Sequence, residues 1–216
     1  MRKALLIALM MPVLVCCTGP KQLSYLQNLS ADELLSAAAV ETYRLFPGDQ
    51  LTVRVSSFDL SAVAAFNVQN GELADIPYIV DAEGYIHLPA VGSVLAAGRT
   101  IAEVEVDLQA QFAQFAKGAV VRVEFVSGSV SVLGEVNRPV RIGWPSKGLT
   151  LLDALTDAGD LRPNASRVVL VLRRQAGGTR TIQVDLRDKS CLTSPAWQLL
   201  PGDVVYVQPR LGRRVY

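Results

Sequence analysis

Residues 198–209 read QLLPGDVVYVQP, and an earlier stretch, RLFPGDQLTVRV at 44–55, says nearly the same thing. In each, proline fixes φ near the value wanted at the second position of a type II turn, and glycine accepts the positive φ of the third. Asp49 and Asp203 can then bond nearby backbone amides as the chain leaves the turn. Apolar residues alternate after both turns: Leu51, Val53 and Val55, then Val205 and Val207. Period two marks a half-buried strand. One Pro-Gly-Asp turn is common, and its first reading is structural. Its meaning depends on what surrounds the two copies.

Upstream of the first copy lies an export signal. MRK supplies two positive charges, and Ala4 to Val15 is an apolar run of 12 residues broken only by Pro12. A bilayer span needs roughly 20 apolar residues, so the run suits the core of a secretory signal instead. LVCC follows, with Leu14 three residues before Cys17 and Cys16 immediately before it. That spacing fits a lipoprotein signal with Cys17 as the acylated residue, and it fits Cys16 less well because Val15 would fill the small position. An ordinary cleaved signal without lipid is the alternative.

Cleavage before Cys17 removes Arg2 and Lys3, so 21 basic residues become 19 against 20 acidic ones, a net charge of −1. That balance excludes an electrostatic case for a nucleic-acid partner. Cys191 is then the one cysteine left besides the lipidated one, which leaves no intrachain disulfide to form. No later segment carries 18 consecutive apolar residues. A mature chain of about 200 residues can build two small cores or one medium core.

The pattern divides the chain. Residues 1–16 are the signal, and 17–42 form a tether with some apolar anchoring from Tyr25 and Leu26. SADE at 30–33 is a capping-box pattern that predicts a short helix over 31–40. Residues 43–126 form a first unit, with a loop or irregular insertion after its first strand. YIVDAEGYIHLPAVG (78–92) reads as strand, turn and strand. TIAE (100–103) caps a helix whose apolar face is Ile101, Val104, Leu108, Phe112 and Phe115, closed by Gly118. VVRVEFV (120–126) returns as a strand. SGS at 127–129 is a plausible hinge. The second unit, 129–209, runs strand, Pro139 turn, a Thr150-capped helix closed by Gly159, then three strands with a Gly177-Gly178 turn. A basic tail, 210–216, carries Arg210, Arg213 and Arg214, read as solvated. The layout is α+β in two small modules, the second with a helix across a mixed sheet.

Chemistry-bearing constellations are sparse. His87, the one histidine, sits in an alternating strand between Ile86 and Leu88, which face the other way. No acidic or cysteine cluster stands beside it in sequence, so it reads as structural. Nucleophile-elbow, phosphate-loop, dinucleotide and zinc-protease patterns do not occur. Asp49, Asp81, Glu103, Asp153 and Asp203 sit at turns and helix starts, where capping explains them. That placement argues against a two-carboxylate glycosidase. The chain reads as one that binds or assembles, with no cofactor and no metal.

Seven blocks in order carry a resemblance: the lipobox at Cys17, L-x-PGD-x-L-x-V (45–53), VDAEGYIHLPAVG (80–92), AGRTIAEVE (97–105), VSVLGEVNRP (130–139), LTLLDALTDAG (149–159) and LLPGDVVYV (199–207). Together they resemble the outer-membrane polysaccharide export (OPX) lipoproteins, which join a polysaccharide-export domain to an SLBB β-grasp domain. The resemblance implies structural turn roles for Pro47, Gly48, Asp49, Gly84, Pro89, Gly92, Gly134, Pro139, Gly159, Pro201, Gly202 and Asp203. It also implies a cyclic homo-oligomer, anchored to the outer membrane through lipid and facing the periplasm. Capsule or exopolysaccharide would pass through it, above an inner-membrane copolymerase or tyrosine kinase. One 23.3 kDa chain of two small modules cannot enclose a polymer-sized lumen alone, so closed association is required by that function.

Three departures stand out. The chain reads as a short form without the C-terminal membrane-spanning helix of longer members, which implies a separate β-barrel or an incomplete sequence. It shows one SLBB-like unit. Pro139-Val140 and Ala158-Gly159-Asp160 replace the family's Pro-Gly and Ala-Gly-Gly, which puts local turn geometry in question. Against the export reading stand a monomeric lipoprotein that holds a soluble ligand or glycan on its β-grasp unit, and, more distantly, a glycan-modifying enzyme.

Overall fold

The computed structural model describes residues 24–36, 41–57, 68–69, 72–73, 77–89, 91–116, 118–126, 128–145 and 147–210. Cys17, Arg213 and Arg214 lie outside them. The molecule is α+β, with two hydrophobic cores that share no buried residue, one built from positions 45–123 and the other from 130–207.

In the front module, β1 (Gln50–Ser56) lies between β4 (Pro77–Ile79) and β7 (Val120–Phe125), antiparallel to both. Leu51, Val53, Val55, Val121 and Val123 alternate inward and are buried, as period two requires. The stretch expected to be irregular contains a minimal ladder of β2 (Val68–Gln69) and β3 (Glu72–Leu73). β5 (Tyr85–Leu88) and β6 (Gly92–Leu95) form a hairpin of their own. The expected strand, turn and strand of 78–88 are therefore both present but unpaired with each other: β4 joins β1 and β5 joins β6. Alternation identifies a strand and not its partner.

Helix α1 (Ile101–Phe112) opens on a complete capping box. The Glu103 amide donates to Thr100 Oγ1 at 3.2 Å, and the Thr100 amide donates to Glu103 Oε2 at 2.7 Å. The helix stops a turn earlier than its apolar spacing predicts. Beyond Phe112 the amides of Gln114 and Phe115 bond carbonyls three residues back, tightening the coil. Phe115 is thereby turned out to 56% exposure, and Ala116 and Ala119 take the core positions instead. The polar side of α1 also closes the open edge of β7. Glu105 Oε2 accepts from the Val123 amide and Gln109 Oε1 from the Val121 amide, both at 2.9 Å. A strand edge covered this way cannot recruit another strand.

In the back module a five-stranded mixed sheet has the order β11-β10-β12-β8-β9. Its strands are β8 (Ser129–Gly134), β9 (Val140–Gly143), β10 (Ala165–Gln175), β11 (Gly178–Asp185) and β12 (Val204–Pro209). Only β12 and β8 run parallel. Helix α2 (Leu151–Asp157) buries Leu151, Ala154 and Leu155 against this core. β9 and a 3-10 turn at Lys189–Thr193 were not legible in the pattern, because four and five residues are too short for a period to emerge.

One expectation fails ahead of the front module. Residues 31–36 are not helical: Asp32 sits at φ +59°, which breaks the coil, while the Glu33 carboxylate reaches Lys189 Nζ. Residues 37–40 of that expected helix lie outside the described set. Segment 24–36 instead straps the back module. The Leu26 amide donates to the Leu186 carbonyl at 3.0 Å, and Tyr25 Oη donates to Asp160 Oδ1 at 2.6 Å. At the expected hinge, Ser127 lies outside the described residues and Gly128 is packed. A Cβ on Gly128 would meet the Phe125 ring at 2.3 Å and Trp144 Cβ at 2.9 Å, and the Gly128 carbonyl accepts from the Trp144 amide at 2.8 Å. Phe125 belongs to the front core and Trp144 to the back core, so the junction is filled by side chains from both.

Candidate functional site at the module junction

The two Pro-Gly-Asp turns share one geometry. Gly48 and Gly202 stand at φ +91° and +86°, the conformation a type II turn demands of its third residue. The Asp49 amide donates to the Phe46 carbonyl at 3.1 Å, and the Asp203 amide to the Leu200 carbonyl at 3.0 Å. Each carboxylate reaches back to the residue that opens the turn. Asp49 Oδ2 accepts from the Phe46 amide and Asp203 Oδ2 from the Leu200 amide, both at 2.8 Å. Backbone and side chain thus close the turn from both sides, where the sequence suggested amides farther along the chain.

What each aspartate does beyond its turn differs. Asp49 also accepts from Tyr43 Oη at 2.7 Å, and burial together with that bond pushes the phenol well above its ordinary range. Asp203 is 1% exposed and faces Arg173, 2% exposed, which projects from β10. Arg173 donates from Nε and Nη2 to the Asp203 carboxylate at 3.1 and 2.7 Å, and from Nη1 to Glu41 Oε2 at 2.7 Å. Its remaining N–H groups go to the carbonyls of Pro195 and Gln198 at 3.1 and 3.0 Å. All five donors of the guanidinium are therefore satisfied. Burial alone would lower its pKa, and the two carboxylates outweigh that and raise it. Burial raises the Asp203 carboxyl, with Arg173 and the Leu200 amide pulling against it. Burial also opposes ionisation of Glu41, yet Arg173 and Arg180 hold that carboxyl below its usual range.

The adjacent residue turns the other way. Arg174 stacks its guanidinium 4.0 Å above the Phe46 ring and sits 3.5 Å from Asp49 Oδ1. Two consecutive arginines on one strand therefore engage the two Pro-Gly-Asp turns, one in each module. Between the modules lies a cleft of about 1080 Å³, walled by Tyr43, Phe46, Pro47, Arg174 and the Gly177-Gly178 turn among others. Module junctions are a preferred place for such clefts.

The remaining family-motif residues are spread out. Gly84 closes the turn into β5, Pro89 follows β5, and Gly92 opens β6. Pro139 precedes β9 and Gly159 follows α2. Asp160, where the resemblance expects glycine, still adopts φ +69°, held by bonds from the Tyr25 hydroxyl and the Leu161 amide. Gly134 ends β8 at φ +100°, and a Cβ there would lie 2.0 Å from the Val207 carbonyl oxygen. His87 has one acidic partner, Asp81 Oδ2 at 2.8 Å from Nε2, with Ser93 Oγ 3.0 Å from Nδ1. Asp81 lies six residues upstream, across the turn, where sequence proximity conceals it. Asp81 also accepts from the Tyr85 amide at 2.7 Å, so the group braces the entry to the hairpin. Cys191 is buried, and that burial raises its thiol pKa.

Arg173 and Arg174 close the stretch RVVLVLRR (167–174), which the sequence marks as a strand and nothing more. A signal was present: period two puts Arg173 on the face of Val169 and Val171, both fully buried, and a buried arginine needs an acid. Among the described residues no group of three or more His, Cys, Asp or Glu is arranged to hold a metal ion, and no helix is long and apolar enough to cross a membrane.

Comparison with known proteins gives this geometry a family. Residues 37–126 match the model described as polysaccharide biosynthesis/export protein, and residues 128–207 match the SLBB domain. The chain is 26% identical over 203 residues to the EPS I polysaccharide export outer membrane protein EpsA of Ralstonia solanacearum, covering 88% of this chain and 53% of that protein. It is 24% identical over 209 residues to the protein of the same name in Ralstonia nicotianae (strain ATCC BAA-1114 / GMI1000), with the same coverage of 88% and 53%. The chain thus spans about half the length of the curated relatives it matches. With an export domain and an SLBB domain in that order, it belongs to the outer-membrane polysaccharide export family.

Proposed function

We propose that the chain is a lipid-anchored subunit of an exopolysaccharide or capsule export channel, standing on the outer membrane and facing the periplasm. The observation that carries this reading is the pairing of the two domain matches in one chain, 37–126 and 128–207, with relatives named as export proteins of the outer membrane. In this reading the protein makes and breaks no bonds; its subunits close into a ring around the moving polymer. The strap supports an orientation. Residue 24 is seven positions beyond Cys17, so an acylated Cys17 lies within about 25 Å of the back module. The back module would sit next to the membrane, and the front module would point towards an inner-membrane copolymerase or tyrosine kinase. A separate β-barrel, or a helical segment in a longer form of the protein, would complete the passage.

The test combines genetics with mass. Clean deletion should abolish surface polysaccharide while polymer or precursor accumulates inside, and a plasmid copy carrying Cys17→Ser should restore little of it. Acylated protein extracted in detergent should run as a closed oligomer. Normal surface polysaccharide after deletion, or a stable monomer that binds a soluble ligand, would replace this reading with that of a binding lipoprotein.

A further inference from the structure

We infer that the cleft between the modules is a binding site for a carboxylate-bearing sugar unit, with Arg174 as the group that grips the carboxylate. The inference rests on the export reading for the identity of the ligand and on geometry for the site. Three arginines, Arg44, Arg173 and Arg174, and one acid, Glu41, line the cleft. The arginines are not equivalent. Arg173 has every donor satisfied, and Arg44 donates to the Gly98 carbonyl at 2.7 Å with Glu103 3.6 Å away. Arg174 is half-exposed, and its ion-pair contact is Asp49 at 3.5 Å, the outer limit of a hydrogen bond.

The guanidinium carbon lies 4.0 Å over the centre of the Phe46 ring, a cation–π contact that restrains the fork before a ligand arrives and so reduces the freedom lost on binding. Planar, bidentate recognition of a carboxylate is what arginine does best. The rest of the wall suits a sugar. Phe46, Pro47 and Leu200 offer apolar surface to the ring face, while Thr42, Gln175 and Thr179 offer hydrogen bonds at its edge. About 1080 Å³ holds an oligosaccharide of a few units.

The experiment is calorimetric titration of the full chain, extracted in detergent, with tri-galacturonate and with neutral maltotriose. Tri-galacturonate should bind, weakening as salt rises, and maltotriose should bind at least tenfold more weakly. Arg174→Gln should weaken tri-galacturonate by roughly tenfold or more, and Arg174→Lys should lose a smaller share because it keeps charge without the fork. Phe46→Leu, which frees the guanidinium while keeping the cleft apolar, should fall between the parent and Arg174→Gln. Thermal melting of each variant close to the parent certifies the fold. Equal affinity for both saccharides, an unaffected Arg174→Gln, or no binding of tri-galacturonate at millimolar concentration overturns the inference. So does a variant that breaks the oligomer while no saccharide binds, because a second copy then occupies the cleft. The oligomer's mass, measured on the same samples, separates the two readings. A ring that ignores the saccharide removes the site alone, and a monomer that binds it removes the ring alone.

Discussion

Replacing Arg173 by methionine is the sharpest test of how the junction is held. The substitution keeps an unbranched apolar stem and deletes all five N–H donors. It strands Asp203, 1% exposed, with one remaining amide donor from Leu200, and it leaves the carbonyls of Pro195 and Gln198 without the partner they had. Breaking a buried pair from one side costs about 3–5 kcal/mol, because the partner charge stays buried without compensation. For a chain of this size roughly 2–4 °C of melting temperature accompanies each kcal/mol, so Arg173→Met should melt about 6–20 °C below the parent. Arg173→Lys should lose about half as much, because one ammonium cannot span both Asp203 oxygens and still reach Glu41. The double variant Arg173→Met with Asp203→Leu should recover a large part of the loss, because an apolar pair costs little where half an ion pair costs much. Urea unfolding of the four proteins in parallel reads these differences directly. A loss below about 1 kcal/mol for Arg173→Met, the value of an exposed pair, would refute the claim that this network fixes the junction.

Three further outcomes follow from the same structure. Gly134→Ala should destabilise the back module by more than the about 1 kcal/mol typical of glycine replacement, because its Cβ falls 2.0 Å from the Val207 carbonyl across the parallel β8–β12 pair; hydrogen exchange at those two strands would show where the loss falls, and an unchanged melt would contradict it. Acid should weaken the fold. Bonds from Arg99, from Arg187 and from the Thr150 side chain hold Asp107, Asp185 and Asp153 below the usual carboxylate range. A lowered folded-state pKa contributes stability that is complete above the unfolded value and lost as pH falls through the folded one. Urea midpoints should therefore stay level near neutrality and decline below about pH 4, and a midpoint that rises on acidification would show that the buried Asp203, shifted the opposite way, dominates. Finally, Cys191 in a Cys16→Ser, Cys17→Ser variant should resist iodoacetamide at pH 8 until denaturant is added, because burial and the nearby Asp188 and Asp185 keep its thiol protonated; rapid native labelling would place it at the surface.

Much of the fold was legible because it is written in periods. Alternation marked β1, β7 and β12, and the capping box at Thr100 and the cap at Thr150 marked the starts of α1 and α2. The capping pattern at Ser30 shows the limit of that signal. Glu33 does accept from the Ser30 amide, at 3.4 Å, yet Lys189, 156 residues away, takes the same carboxylate, and a local motif cannot announce so distant a competitor. The end of α1 was misjudged for a related reason: spacing assumes that the coil keeps its pitch, and the last turn tightened. The junction was the least legible part. Its bonds run from Glu41 to Arg173 and from Asp49 to Arg174, spanning 132 and 125 residues, and no pattern within a window reports them.

The repeated turn explains why the junction forms where it does. At the first copy, the Gly48 amide donates to the Val80 carbonyl and the Val80 amide donates to the Asp49 carbonyl, so one residue serves both bonds, as in antiparallel pairing. At the second, the Gly202 amide donates to the Ser129 carbonyl and the Ser131 amide to the Asp203 carbonyl, two residues apart, as in parallel pairing. The same device therefore seats its strand beside a neighbour of either direction. Each copy presents a fixed carboxylate at the base of its module, and strand geometry sends Arg173 and Arg174 to opposite faces of β10. A single arginine could meet only one of those carboxylates. Two in succession meet both, so one strand reaches the Pro-Gly-Asp turn of each module beside the cleft between them.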